Sequence, residues 1–328
     1  MKKGYLCIAA AAVLFSTMEI VLKSIAGVFN PVQLTFTRFL AGGLVLLPLA
    51  LRTLRRRGLR LRLRELLPFA WIGFLGVTVS MTLYQLAVNY TPASVVAVLF
   101  SSNPLFVLAF ARLLLGEPVP KRSFLALGLD VVGIGFVVDP LHMELSAAGV
   151  ALTLLSTVLF ALYGVAGKRE SARYGGVVNT CFGFLFGSAE MMLLSALTHI
   201  PALASALTAA GLSGFAAVPF FSGYSLAVLP RFLYVCAGVT GCGFACYFLA
   251  MEYTSAGTAS LVFFFKPILA PILALFLLGE AIPANRWAGI GFILAGALAN
   301  LLPPLFSARR KRVPKTVPED GPGEILEG

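Results

Sequence analysis

Six ionisable residues, Glu19, Lys23, Arg38, Asp130, Glu190 and Lys266, stand inside long apolar stretches of this chain. A charged side chain at the middle of a bilayer costs roughly 2.5 to 3.5 kcal/mol on insertion scales, so six such groups left unpaired would outweigh the stability of a typical domain. They must face a bundle interior, water or one another. In that setting a carboxylate can take up and release a proton, and a base can hold an anionic group.

Lys266 is the sharpest case. It precedes Pro267 in the middle of an apolar run, and a proline there removes a backbone hydrogen bond and kinks a helix. At an offset of 163 residues its counterpart is Asn103, before Pro104. Two kinked helices with polar residues at the same depth predict a central cavity, with Lys266 and Asn103 in substrate binding or coupling. An ion pair of Lys266 with Glu19 or Glu190 is the structural alternative. Glu19 and Lys23 are spaced i to i+4 on one helix face; they either lock that helix as an ion pair or supply a proton-exchanging carboxylate and a base for a substrate carboxylate. Arg38 shares a face with Pro31, Thr35 and Gly42, and its guanidinium can grip an anionic group, or Glu19, through two bonds. Glu190 is a second candidate proton carrier. Asp130, among small residues, is a candidate for bonding to a neighbouring helix. Phe263, Phe264 and Phe265, with Tyr84, Tyr163 and Tyr247, could wall the cavity or simply pack.

The elements that position these residues follow from composition. At 59% hydrophobic, 12% charged and a mean hydropathy of +0.92, the 328 residues have too little polar surface to cover a soluble core. Apolar runs near 5–27, 31–51, 66–88, 92–115, 122–139, 146–168, 176–198, 230–252, 256–279 and 286–305 have about the length that crosses a bilayer. Without water for the backbone, and without two-residue alternation, they must be helices. Pro201 to Leu229 is apolar but rich in Ala, Gly, Ser and Pro, and is expected as an external loop with interfacial helical pieces. The first run follows Lys2 and Lys3 but contains Glu19 and Lys23 and lacks a convincing cleavage site, so it reads as a retained helix rather than a signal peptide.

The formal charge of +11 is a matter of topology. Apart from Lys23, Arg38 and Lys266, every base except Arg231 and Arg286 falls on one side of the ten-span layout: Lys2, Lys3, the run Arg52 to Arg64, Arg112, Lys121, Arg122, Lys168, Arg169, Arg173 and the cluster Arg309 to Lys315. This positive-inside bias places both termini in the cytoplasm and gives the arginine run lipid headgroups, not nucleic acid, as its partner.

The chain also repeats itself. Tyr84-Gln-Leu-Ala-Val-Asn-Tyr90-Thr-Pro-Ala93 recurs as Tyr247-Phe-Leu-Ala-Met-Glu-Tyr253-Thr-Ser-Ala256, and the register sets Gly116-Glu117 on Gly279-Glu280, Gly128 on Gly291 and Gly133 on Gly296. Fainter matches pair Ser16-Thr17 with Ser156-Thr157 at 140 and Phe39-Leu40 with Phe184-Leu185 at 145, so the insertion lies between spans seven and eight. An odd number of spans per half turns the second half upside down, the architecture of carriers that work by alternating access.

Two inverted five-helix halves, each with a proline in its fourth helix and a closing Gly-Glu, resemble the EamA family of the drug/metabolite transporter superfamily over residues 5 to about 305. The resemblance implies an all-α integral membrane protein with ten transmembrane helices as two inverted repeats: 1–140, 146–305, and a disordered cytoplasmic tail 306–328. It implies a carrier of the cytoplasmic membrane, commonly exporting amino acids or other small metabolites. Arg38 sits where many family members have arginine. The expected activity is secondary transport of an amino acid or related carboxylate with protons as coupling partner; multidrug efflux and a non-transporting membrane component are the alternatives, and a homodimer is allowed. No catalytic residue, metal site or cofactor is expected. His142 and His199 fall in outer loops, Gly289-Ile-Gly291 and Gly133-Ile-Gly135 lack the third glycine of a dinucleotide loop, and Cys7, Cys181, Cys236, Cys242 and Cys246 read as small packing residues.

Overall fold

Runs of leucine, valine, alanine and phenylalanine without polar alternation form helices wherever the computed structural model describes the chain, namely residues 2–59, 61–118, 122–139, 145–264 and 266–310. The long helices among the described residues are α1 Lys2–Ser24, α2 Pro31–Arg56, α3 Leu63–Tyr90, α4 Ala93–Leu115, α5 Arg122–Val138, α6 Ala147–Tyr174, α7 Gly176–Leu197, α8 Leu229–Tyr253, α9 Ala256–Leu278 and α10 Ala284–Arg310. Among the described residues eight of them, all but α5 and α10, are long and apolar enough to cross a membrane, and the apolar part of α5, Phe124–Val138, is shorter. No β-strand occurs among the described residues. Phe265, Pro120, Lys121, His142 and residues 311–328 lie outside them, as do the side chains of Arg122, Phe264, Arg309 and Arg310. Helix α10 runs on to Arg310, beyond the boundary expected at 305.

Between α7 and α8 the chain forms a short helix, Pro201–Ala209, and one tight turn, Ser213–Phe215. Nine residues of helix rise only about 14 Å, so the segment is no eleventh span. It is tied down by Asn30 Nδ2 donating to the Gly214 carbonyl at 2.8 Å and by Gln33 Nε2 donating to those of Ser222 at 2.8 Å and Phe220 at 3.3 Å.

End-to-end contacts fix the alternation of the helices. Gly4 packs on Tyr253 and Thr254, Lys23 reaches Val88 and Thr91, and Glu280 reaches Ala93 and Ser94. At the end that carries Lys2 and Lys3, Arg57 pairs with Glu252, Arg173 with Glu65 at 2.7 Å, and Lys168 with Glu117. Within the arginine run, Arg57 is thus held by Glu252 of α8, and the Arg62 backbone N–H donates to Glu65 of α3 at 3.0 Å.

The duplication extends to local geometry. Gly116 and Gly279 both close a helix at φ +67°, a conformation that glycine adopts without strain. Each is followed by a bond that reaches six residues back, Glu117 N–H to the Ala111 carbonyl at 3.1 Å and Glu280 N–H to that of Ala274 at 3.2 Å, one residue further than in a Schellman closure. Helices α3 and α8 each contain a widened π segment, Phe74–Met81 and Tyr234–Gly243. Tyr84 meets Phe100 edge-on at 5.0 Å, as Tyr247 meets Phe263 at 5.5 Å. Two sets of counterparts touch each other directly, Phe100 with Phe263 at 5.7 Å and Phe39 with Phe184 at 4.6 Å.

The prolines act differently from the expected kink. Helix α4 breaks at Ser101 and Ser102 and restarts at Asn103, and α9 passes through a 3₁₀ segment, Ser260–Phe264, before restarting at Lys266. Pro104 and Pro267 therefore occupy the second position of a new helical segment, where the missing N–H would have had no partner anyway.

Glycines set the helix spacing. A Cβ on Gly73 of α3 would stand 2.4 Å from the Gly183 carbonyl oxygen and 2.6 Å from the Gly187 nitrogen of α7, and one on Gly133 of α5 would stand 2.7 Å from the Gly289 carbonyl oxygen of α10. Because backbone atoms cannot swing aside, Gly73→Ala should separate α3 from α7 at a cost of about 1 to 3 kcal/mol, read as a lowered melting temperature of the purified protein. An unchanged melting temperature would show that the two helices are free to separate. The cysteines are free thiols; Cys181 and Cys236 are buried, but Cys242 is exposed, so the packing role expected for all five does not extend to it.

Candidate functional site

Beginning a helical segment with Lys266 places a cation at the positive end of a helix dipole, an unfavourable arrangement unless an anion stands close. Glu19 supplies that anion. Lys266 Nζ donates to Glu19 Oε1, and the Tyr84 hydroxyl donates to the same oxygen. All three side chains are fully buried. Lys266 Nζ also lies 4.9 Å from the Phe100 ring centre and 5.8 Å from those of Tyr84 and Phe263, within the range where aromatic faces attract a cation. Four elements contribute: α1 the acid, α9 the base, α3 the hydroxyl and α4 an aromatic wall.

Arg38 of α2 is buried beside this cluster, against Met18, the residue before Glu19. Its guanidinium has Met18 Sδ at 3.9 Å from Nη1 and the Phe39 ring centre 4.5 Å from Cζ, while Nε and Nη2 have no hydrogen-bond partner among the described residues. Glu19 Oε2 has none either. A buried guanidinium with two free donors is a costly arrangement, and it is chemically suited to receive a planar anion such as a carboxylate.

The aromatic residues expected as cavity walls are here packed ring to ring. Phe263, Tyr163 and Tyr247 join Phe160, Phe244 and Phe248 in edge-on, tilted and stacked contacts of 5.3 to 5.9 Å. The hydroxyls of Tyr163 and Tyr247 have no partner among the described residues.

The other residues singled out in the sequence lie elsewhere. Asn103 is buried, donates from Nδ2 to the Thr157 carbonyl at 3.1 Å and leaves Oδ1 without a partner among the described residues. Lys23 does not pair with Glu19; it stands at the end of α1 and donates to the carbonyls of Val88 at 2.7 Å and Thr91 at 3.1 Å. These are the closing carbonyls of α3, so the charge stabilises a helix C-terminus. Lys23→Met should cost about 1 kcal/mol of stability and leave transport rates unchanged, measured by thermal unfolding and flux in parallel; a transport defect at normal stability would return Lys23 to the site. Asp130 is buried in α5 against Gly296 of α10, with Oδ1 unpartnered among the described residues. Glu190 is half-buried in α7 and accepts from Thr78 Oγ1 at 3.0 Å.

Sequence reasoning reached Glu19, Lys266 and Arg38, and it named Tyr84 only as an aromatic. The Tyr84–Glu19 bond joins residues distant in the chain, and no spacing signals it. Glu280 takes a capping role: its carboxylate accepts from Ala93 N at 2.8 Å, Ser94 N at 3.0 Å and Ser94 Oγ at 2.7 Å. Pro92 precedes that helix and has no side-chain cap to offer, whereas Ser255 at the equivalent place caps the next segment itself, accepting from Thr258 N at 3.0 Å. Glu117, freed of that task, pairs with Lys168.

Among known proteins, the profile of the EamA-like transporter family matches residues 2–139 and again 147–302. An "uncharacterized transporter" of Clostridium kluyveri is 34% identical over 308 residues, covering 92% of this chain and 93% of that protein. The "uncharacterized inner membrane transporter YedA" of Escherichia coli K12 is 27% identical over 286 residues, covering 85% and 84%. The "pseudopaline exporter CntI" of Pseudomonas aeruginosa is 26% identical over 174 residues, covering 53% of this chain and 60% of its own length. A solved crystal structure superposes with a TM-score of 0.67 over 95% of this chain and all of its own, at 19% identity, a likeness of fold. A family profile that matches twice along the chain, together with eight apolar helices of spanning length, identifies this multi-pass integral membrane protein as a member of the EamA-like transporter family.

Proposed function

We propose that the chain is a secondary carrier that exports a small carboxylate-bearing metabolite, such as an amino acid, by alternating access coupled to proton exchange on Glu19. The observation that carries this reading is the buried cluster: a carboxylate bonded to a lysine and a tyrosine, with an arginine beside it whose Nε and Nη2 are unused among the described residues. A substrate carboxylate on Arg38 and Lys266 would displace Glu19 from Lys266, and the released Glu19 could then take a proton from the side to which it is exposed. The substrate carboxylate and the Glu19 carboxylate thus compete for the same bases, which links substrate binding to the protonation of Glu19. The ten helices form two inverted repeats, with the arginine-rich end and both termini cytoplasmic by the positive-inside rule. Export agrees with the printed name of the Pseudomonas relative. No catalysis belongs to this reading.

The test is flux from proteoliposomes loaded with labelled amino acids and small carboxylates, with and without an imposed pH gradient. Efflux of at least one carboxylate, faster with the gradient and absent from empty liposomes, is expected. Transport confined to substrates without a carboxylate would overturn the assignment of Arg38 and Lys266.

A further inference from the structure

At the end of the bundle opposite the arginine run, a cavity of about 150 Å³ lies between α2, α3 and α7 beneath the insertion. A cavity of about this volume holds a ligand the size of benzene. Met191, Leu194, Phe215 and Val218 supply apolar lining, and hydroxyl residues, Thr78 and Ser195 among them, line it as well. Phe215 and Val218 come from the insertion itself, which the tethers from Asn30 and Gln33 hold over α2.

The polar lining is short of donors. Thr78 Oγ1 has one hydrogen for the Glu190 carboxylate at 3.0 Å and the Gly187 carbonyl at 3.2 Å; the carbonyl is already served by the helical ladder of α7, so the carboxylate is the group with acceptor capacity to spare. Ser195 is 1% exposed, and its Oγ has no partner among the described residues. Thr82 Oγ1 makes only a long contact of 3.7 Å to Met191 Sδ among the described residues. A carboxylate adjoins this lining through Thr78, and among the described residues no lysine or arginine lines the cavity. The complementary group brings several donors and a positive charge, and an ammonium has three donors and no acceptor.

We infer that this cavity is a second binding site, separate from the buried Glu19–Lys266 cluster, and that it takes a small primary ammonium with a short apolar body. The ammonium binds Glu190 and Ser195, and the apolar body lies against Leu194 and the underside of the insertion. This inference does not rest on the central cluster, which presents bases where this site presents an acid.

The test measures thermal stabilisation of the purified full-length protein by n-butylammonium, n-butanol and n-butyrate across a concentration series, since a ligand that binds the folded state raises the melting temperature by mass action. Butylammonium should give a saturable rise, and the butanol and butyrate rises should be absent or far smaller. Glu190→Gln should weaken the apparent affinity about tenfold or more, the scale of one charge-assisted bond. Leu194→Trp, which fills the cavity and leaves the net charge unchanged, should abolish the rise, and Glu19→Gln should leave it intact. Equal stabilisation by butanol would show an apolar hole without ammonium recognition. Loss of the effect in Glu19→Gln would place the ligand in the central cluster, and no saturable rise in the wild-type protein would show that the cavity binds none of them; each result overturns the inference.

Discussion

Lys266→Met is expected to abolish carboxylate transport and to lower the melting temperature, because it strands the Glu19 carboxylate with only the Tyr84 hydroxyl for company in a fully buried setting. Breaking a buried pair from one side costs about 3 to 5 kcal/mol, whereas replacing both partners by apolar residues of similar volume is often neutral or stabilising. The double variant Glu19→Met/Lys266→Met should therefore regain the lost stability and still not transport. That separation is the informative result, since a pair kept for folding alone would lose nothing in the double variant. Measurement requires thermal unfolding in detergent and flux in liposomes on the same preparations; restored flux in the double variant would remove the pair from the mechanism.

Arg38→Met should have effects of opposite sign on stability and activity. The wild-type guanidinium is fully buried with Nε and Nη2 unsatisfied among the described residues, and an unsatisfied buried donor costs about 1 to 3 kcal/mol. Replacing it with a flexible apolar side chain of similar length should raise the melting temperature while transport falls to background. Residues that stabilise when removed and inactivate when removed mark places where stability has been given up for function. Arg38→Lys is expected to keep the charge without restoring normal rates, because an ammonium cannot present the planar fork that meets a carboxylate through two bonds. A destabilised Arg38→Met protein with normal flux would make Arg38 a packing residue.

Much of this arrangement could be read from the chain. The repeat at 163 residues predicts matching geometry at Gly116 and Gly279 and at Pro104 and Pro267, and both pairs do match, although the prolines begin new helical segments where kinks are expected; these features are local, since a left-handed glycine and a proline act on their own few residues. The pairing of Lys266 with Glu19 was one of two partners that cost considerations allowed, and only the packing of α1 against α9 decided between it and Glu190. Lys23 does not form the ion pair that its spacing from Glu19 allows, and the reason is physical. Its i to i+4 spacing from Glu19 is favourable on an isolated helix, but that gain of a few tenths of a kcal/mol is smaller than what a cation gains at the exposed carbonyls of α3. The Glu280 cap and the Glu190–Thr78 bond join distant residues and leave no periodic trace in a sequence. The same holds for the cavity beneath the insertion, whose walls come from three helices and a loop.

The reading of the central cluster requires that it be reached from each side of the membrane in turn. The most direct measurement places a cysteine at position 266 in a background free of native thiols and follows its modification by a charged, membrane-impermeant thiosulfonate in right-side-out and inside-out vesicles. Modification from both sides is predicted, because the two conformations of the bundle exchange without a bound substrate. A cysteine that stays unmodified from both sides, or that reacts from a single side under every condition, would contradict it.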